Sequence, residues 1–368
     1  MIINRYIYRE IFQRLIWIAA LLFLIFSTFK YVDYLSDAAS GKIPAGYILK
    51  LLCLRMLAMQ TEVLPLVLFL AVILTYSRLE QDNELTALAT AGIGTVHQLH
   101  IVVRFTLVFC LLVAFISFHA SPWAKSNIWK LKEQAWQESM ITGIAAGQFK
   151  ELNNSNSVLY VEKYSENKNT MQNIFLQIRQ NDKNSVIRSD KARFDTANES
   201  GNRFIIFENG RRYLGTPGTV VYQITDYEKL GVLIETKDTE FSSSNPEVLP
   251  TSALLGSTLI IHRAELQWRI SSVLACLLLG LFAVILSRLP IGKKPYTLLL
   301  IAILIYFIYS NTLGISRTLM ERNLIPPYLG LWWVHLILIT FAIVTYYFTV
   351  ITQWKKRDRK LQILHNDQ

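Results

Sequence analysis

Residues 15–29 read LIWIAALLFLIFSTF, and residues 270–286 read ISSVLACLLLGLFAVIL. Neither run carries a charge, and each approaches the roughly 20 apolar residues that a membrane helix needs. Working outward from these two runs, the chain divides into six candidate spans at about 11–34, 48–77, 98–120, 266–288, 296–315 and 328–351. The stretch NRYIYREIFQR before the first span has apolar residues at helical spacing, with Arg5, Arg9 and Arg14 between them. It reads as an interfacial helix leading into the membrane. The whole chain of 368 residues is 52% hydrophobic, with a mean hydropathy of +0.30. An integral membrane protein is expected.

The net charge of +10 raises nucleic acid as a partner. However, the Lys and Arg are spread along the chain and flank apolar runs, which fits span ends better than a nucleic-acid surface. Arg5, Arg9 and Arg14 precede span one. Arg288, Lys293 and Lys294 follow span four, and Lys355, Lys356, Arg357, Arg359 and Lys360 follow span six. The positive-inside rule puts these three sites, both termini and the 78–97 connector on the cytoplasmic side. Residues 121–262 then face outward.

That outward region changes character. An amphipathic helical stretch runs to about residue 140. Short β-like runs follow, bounded by Asn, Gly, Ser and Asp: NSVLYVEKY, NIFLQIRQ, NRFIIFENG and GTVVYQITDY. Strands without interleaved helices indicate an all-β sandwich or roll. The domain plan is an N-terminal membrane half (1–120), a β domain (121–262), a C-terminal membrane half (263–354) and a basic tail (355–368).

Several chemistries are excluded. There is no G-x-x-x-x-G-K-[ST] loop, so ATP is not expected to bind through a P-loop. The histidines (97, 100, 119, 262, 335, 365) form no ligand-spaced motif, and no metal is expected. Cys53, Cys110 and Cys276 all lie in apolar segments, so no disulfide framework exists. Ionisable residues are scarce at span centres, which disfavours a proton-coupled carrier.

Three features bear on function. The connector SRLEQDNELTALATAGI (77–93) is acidic and helix-forming. Glu80, Asp82 and Glu84 suit the positive end of a helix dipole, with Asp82 or Asn83 as its cap. Leu85, Leu88 and Ile93 offer an apolar stripe. The connector is either a solvated link or a coupling helix that docks on a partner. Charges also cluster near the outward span ends: Lys30, Arg55 and Glu62, Arg263 and Arg269, and Arg317. They are either interfacial anchors and internal pairs, or the rim of a cavity for an acidic amphiphile, with the apolar faces of span one and of span five, which carries Tyr306, below it. Guanidinium groups suit a phosphate through bidentate bonds. Finally, β runs around Leu159, Val161, Phe175 and Ile206 are apolar on both faces. With Phe149 they form either a tightly packed sandwich or a groove for acyl chains.

The chain resembles the LptF/LptG family of lipopolysaccharide export permeases over essentially its whole length, and the LptF branch most. The resemblance rests on the opening Met1–Glu10, Lys30 closing span one, Ile43-Pro44-Ala45 and Glu84-Leu85-Thr86. It continues with Pro122-Trp123, GQF at 147–149, SNSVLYVE, ITD at 224–226 and RAELQWRI at 263–270. It implies a non-catalytic permease subunit in the inner membrane of a Gram-negative bacterium, with six spans and a periplasmic jellyroll-like domain. The implied partners are an LptG-like permease, two LptB-like ATPase subunits that use ATP and Mg, and an LptC-like bridge protein. The implied substrate is lipopolysaccharide. Glu84, with Leu85, Thr86 and Leu88, falls at the family's coupling helix. Lys30 falls at a cavity-rim cation, with Phe26 one turn earlier, and Arg317 at a position that is often basic. The competing reading is a membrane-anchored scaffold that recruits periplasmic proteins through its β domain.

Overall fold

The computed structural model describes residues 2–39, 43–92, 94–142, 147–152, 157–165, 170–180, 183–196, 203–216, 222–235, 245–289 and 295–366. Lys293, Lys294 and Ile93 lie outside them. Among the described residues, six helices are long and apolar enough to cross a membrane. The first two outrun the spans read from hydropathy, because flanking polar turns continue the helix. Helix α1 (Ile2–Ala39) is a single rod, so the expected interfacial segment and span one are one element. Its 38 residues extend about 57 Å at 1.5 Å per residue, well beyond a hydrocarbon core of about 30 Å. Helix α2 (Ile48–Gln81) likewise runs four residues past the expected end of span two.

The connector helix is shorter than expected, and Asn83, one of its two expected caps, holds the N-cap position. Helix α3 is Glu84–Thr90, and Glu80 belongs to the end of α2. Asn83 precedes α3 in the left-handed conformation at φ 56° without a side-chain capping bond. Asn tolerates that region better than most residues. Helix α4 (Thr95–Phe115) passes through a π-turn (Ile116–Ala120) into α5 (Ser121–Thr142).

After the β domain come α6 (Thr251–Leu255), α7 (Ile260–Leu286), α8 (Pro295–Glu321) and α9 (Trp332–Asn366). Helix α7 is central, with Ala275, Cys276, Leu279, Phe282 and Ala283 in the core. Gly280 explains its close approach to α4. A Cβ there would stand 2.8 Å from Thr106 Oγ1 and 3.3 Å from a Leu68 methyl. By contrast, Leu21 and Leu24 on α1 and Leu300, Leu304 and Phe307 on α8 are exposed, as expected of surfaces meeting lipid or another subunit.

The chain forms two compact units. One holds residues 1–31, 52–127 and 246–368, and the other holds 32–51 and 128–245. The second contains a six-stranded antiparallel sheet in consecutive order: β1 (Phe149–Leu152), β2 (Ser157–Tyr164), β3 (Met171–Gln180), β4 (Lys183–Thr196), β5 (Arg203–Gly215) and β6 (Tyr222–Glu235). The fold is thus a helical membrane protein with an inserted all-β domain, as the sequence indicates. Alternation sets the faces. Leu159, Val161, Ile174, Leu176, Ile187, Ile205 and Phe207 form the buried face.

Candidate functional site

The first unit contains a knot of charge. Arg269 and Glu265, four apart on α7, pair at 2.8 Å with only 3% and 2% of their side chains exposed. The rest of the Arg269 guanidinium donates to Thr251 Oγ1 at 2.8 Å and to the carbonyls of Pro246, Glu247 and Leu249 at 3.0–3.3 Å. From α8, Arg317 reaches Glu265 at 3.1 Å, Glu247 at 2.8 Å and Glu321 at 2.8 Å. Lys125 of α5 completes the knot, 2.8 Å from Glu247. Burial works to raise the Glu247 carboxyl, but Lys125 and Arg317 outweigh it and hold it near pH 2. Of the two alternatives that the sequence leaves open for Arg269 and Arg317, the contacts seen here are the internal pairs. All three guanidinium nitrogens of Arg269 bond within the protein, as do Nε and Nη2 of Arg317, where an unpaired charge would be costly. Glu247 and Lys125 escaped the sequence reading because nothing local marks residues brought together from 122 positions apart.

Beside the knot lies an open cavity of about 710 Å³, walled by α1, α2, α7 and α8. Phe26, Glu62 and Tyr306 line it. Lys30, Arg55, Arg263, Arg269 and Arg317 are not among its lining residues. Most of the wall is apolar: Val63, Leu66, Leu313, Ile315 and Leu319. Its cation is Arg322, one turn beyond Thr318 on the same wall. Arg317 acts on the cavity indirectly, with its guanidinium 5.2 Å from the centre of the Trp268 ring, which also lines the cavity. Such a contact steadies the indole.

Two contacts between helices border the cavity. Pro65 sits inside α2 and has no N–H, so the Thr61 carbonyl loses its helical donor. The adjacent Glu62 carbonyl accepts the Tyr306 hydroxyl from α8 at 2.5 Å. On the far side, Tyr309 bonds His335 Nδ1 at 2.8 Å, and His335 Nε2 meets Ser271 Oγ at 3.0 Å. Both Tyr309 and Ser271 line the cavity, so a single imidazole from α9 ties two of its walls together.

The connector is also tied inward. Glu84 accepts the Tyr6 hydroxyl at 2.9 Å and lies 3.6 Å from Arg78. Arg78 further pairs with Glu10 at 2.6 Å and Asp82 at 3.0 Å. Leu85 is 4% exposed and packs in the helical core, where Leu88 joins it. Two members of the expected stripe, Leu85 and Leu88, thus pack toward this chain's own core, and the third, Ile93, lies outside the described residues. Thr86, Ala87, Ala89 and Thr90 face out.

In the second unit, the five expected groove residues divide between two faces. Leu159 and Val161 belong to the buried face. Phe149 is 69% exposed and lies across from Tyr160, itself opposite Phe175. The three rings cluster, with centroids 4.8 and 6.5 Å from that of Phe149. Ile206 alternates with the buried Ile205 and Phe207, and so shares the outer face. The five therefore do not share one face of the sheet.

Six apolar helices, an amphiphile-sized cavity among them and an inserted β domain define a polytopic membrane permease. The family model for the lipopolysaccharide export system permeases LptF/LptG matches residues 5–347, and the chain belongs to that family. Among curated relatives, the lipopolysaccharide export system permease proteins LptF of Escherichia coli K12 and Shigella flexneri are each 28% identical over 351 residues. The match covers 94% of this chain and 94% of each relative.

Proposed function

We propose that this chain is an LptF-type, non-hydrolysing subunit of an ATP-driven extractor of lipopolysaccharide from the inner membrane. The observation that carries the reading is the cavity. Its apolar wall suits acyl chains, while Arg322 and the polar ends of Thr318 and Asn311 suit a phosphorylated head group. A scaffold needs anchors but no such chamber.

In this reading both termini and the α2–α4 connector are cytoplasmic, and the β domain is periplasmic. The exposed apolar faces of α1 and α8 meet an LptG-like permease across a shared chamber. Two LptB-like ATPase subunits, which use ATP and Mg, dock against the outward side of α3. Closure driven by ATP then expels the lipid toward the β domain and an LptC-like bridge protein. Tyr6, Arg78 and Glu84 link α3 to α1 and α2, and so give a displaced α3 a route to the chamber wall.

The test is native mass spectrometry of the complex after gentle extraction. The reading expects a second six-span permease, two ATPase copies and bound lipopolysaccharide. A lone chain with periplasmic proteins and no ATPase would replace it with the scaffold reading.

A further inference from the structure

A second groove, of about 920 Å³, lies between the start of α1 and α4. Stacking of Tyr8 on Phe105, with ring centroids 6.0 Å apart, holds the two helices together at its floor. Arg5 and Arg9 line it from α1 and Arg104 from α4. All three are exposed, and among the described residues none has an ion-pair partner. The nearby acid is already engaged, since Glu10 accepts Arg14 at 3.2 Å and Arg78 at 2.6 Å.

The position of the three guanidiniums is informative. Arg104 adjoins the charge-free run 105–118, and Arg9 precedes the run 15–29 by under two turns, so both sit near the level of lipid head groups. Below them an apolar track descends along both helices. Phe12 and Ile16 follow Arg5 and Arg9 on one face of α1, and Val108 and Leu111 follow Arg104 on one face of α4. All four are exposed. A cationic cradle above two apolar tracks matches an anionic head group with acyl chains.

We infer that this groove holds an anionic phospholipid as a resident lipid, apart from the substrate cavity. The phosphodiester is bound by Arg5, Arg9 and Arg104, and the chains lie along Phe12, Ile16 and Val108. The lipid fixes the first turns of α1, which carry Tyr6 and Glu10 of the connector's anchor.

Native mass spectrometry of the full chain with added phosphatidylglycerol or phosphatidylcholine of identical chains tests this. The parent is expected to retain phosphatidylglycerol roughly tenfold better, as juxtamembrane basic residues would dictate. The variant R5Q/R9Q/R104Q is expected to lose that preference while its thermal unfolding stays unchanged. V108W keeps every charge and obstructs the chain track at a residue that is 70% exposed, and it too is expected to lose retention. Full preference in the triple variant overturns the site, and full retention in V108W overturns the built groove in favour of a diffuse surface charge. Displacement by equimolar lipopolysaccharide would mark a second substrate site and overturn the resident-lipid assignment. So would a photo-crosslinker at position 108 that labels a protein subunit in the assembled complex.

Discussion

Arg317 on α8 lies 3.1 Å from Glu265 on α7, while Glu265 holds Arg269 at 2.8 Å. One buried carboxylate therefore joins two helices and, through Arg269, the segment that returns from the β domain. The arrangement accounts for RAELQWRI as a structural motif of the helical unit. Removing a single partner strands the rest. R269A is expected to destabilise the helical unit by about 3–5 kcal/mol, as for other broken buried pairs. The double variant E265L/R269M should fall well short of that. Thermal unfolding in detergent compares them, and equal losses would show that packing, not charge, dominates.

Glu247 sets the acid limit of this knot. Its carboxyl stands near pH 2 in the fold against an ordinary 4.5. A depressed carboxylate stabilises fully above its unfolded value and loses that contribution as pH falls through the folded one. Stability should therefore drop between about pH 4.5 and pH 2 in the parent, and less steeply in E247Q. Identical acid profiles would contradict the assignment.

Gly280 has no room for a methyl group. G280A is expected to cost about 1–3 kcal/mol, the usual price of overpacking. T106A removes both the Oγ1 and Cγ2 that a new Cβ would meet, so G280A/T106A should recover most of the loss. An absence of rescue would place the strain elsewhere.

The inward ties of Glu84 make it a positioning residue for α3. E84A should insert normally in the membrane while uncoupling ATP hydrolysis from export in the reconstituted complex. E84Q, which still accepts the Tyr6 hydroxyl, should keep part of the coupling. Parental coupling in E84A would remove this residue from force transmission.

Hydropathy made the spans legible because membrane helices hide their backbone polarity and need apolar sides throughout. Runs such as Ile174–Leu176 and Phe204–Phe207 likewise gave away the strands. The charged positions were harder to read. Arg269 looks like a rim cation beside its own span, and only the fold brings Glu247 and Lys125 to the knot. Arg322 belongs to the same charge cluster after span five as Arg317, and only the fold puts Arg322 in the cavity wall. For Leu85, the apolar stripe was visible, but its direction depends on where α1 and α2 pack.

The central claim is that the α1–α2–α7–α8 cavity receives lipopolysaccharide and that Arg322 receives its head group. The direct measurement places a photo-crosslinker at Phe26, or at Leu304 on the outer face of α8, in the working complex. Strong lipopolysaccharide adducts at Phe26, weak ones at Leu304, and a several-fold loss at Phe26 in R322E are the expected result. Equal labelling at the two positions, unaffected by R322E, would contradict the account.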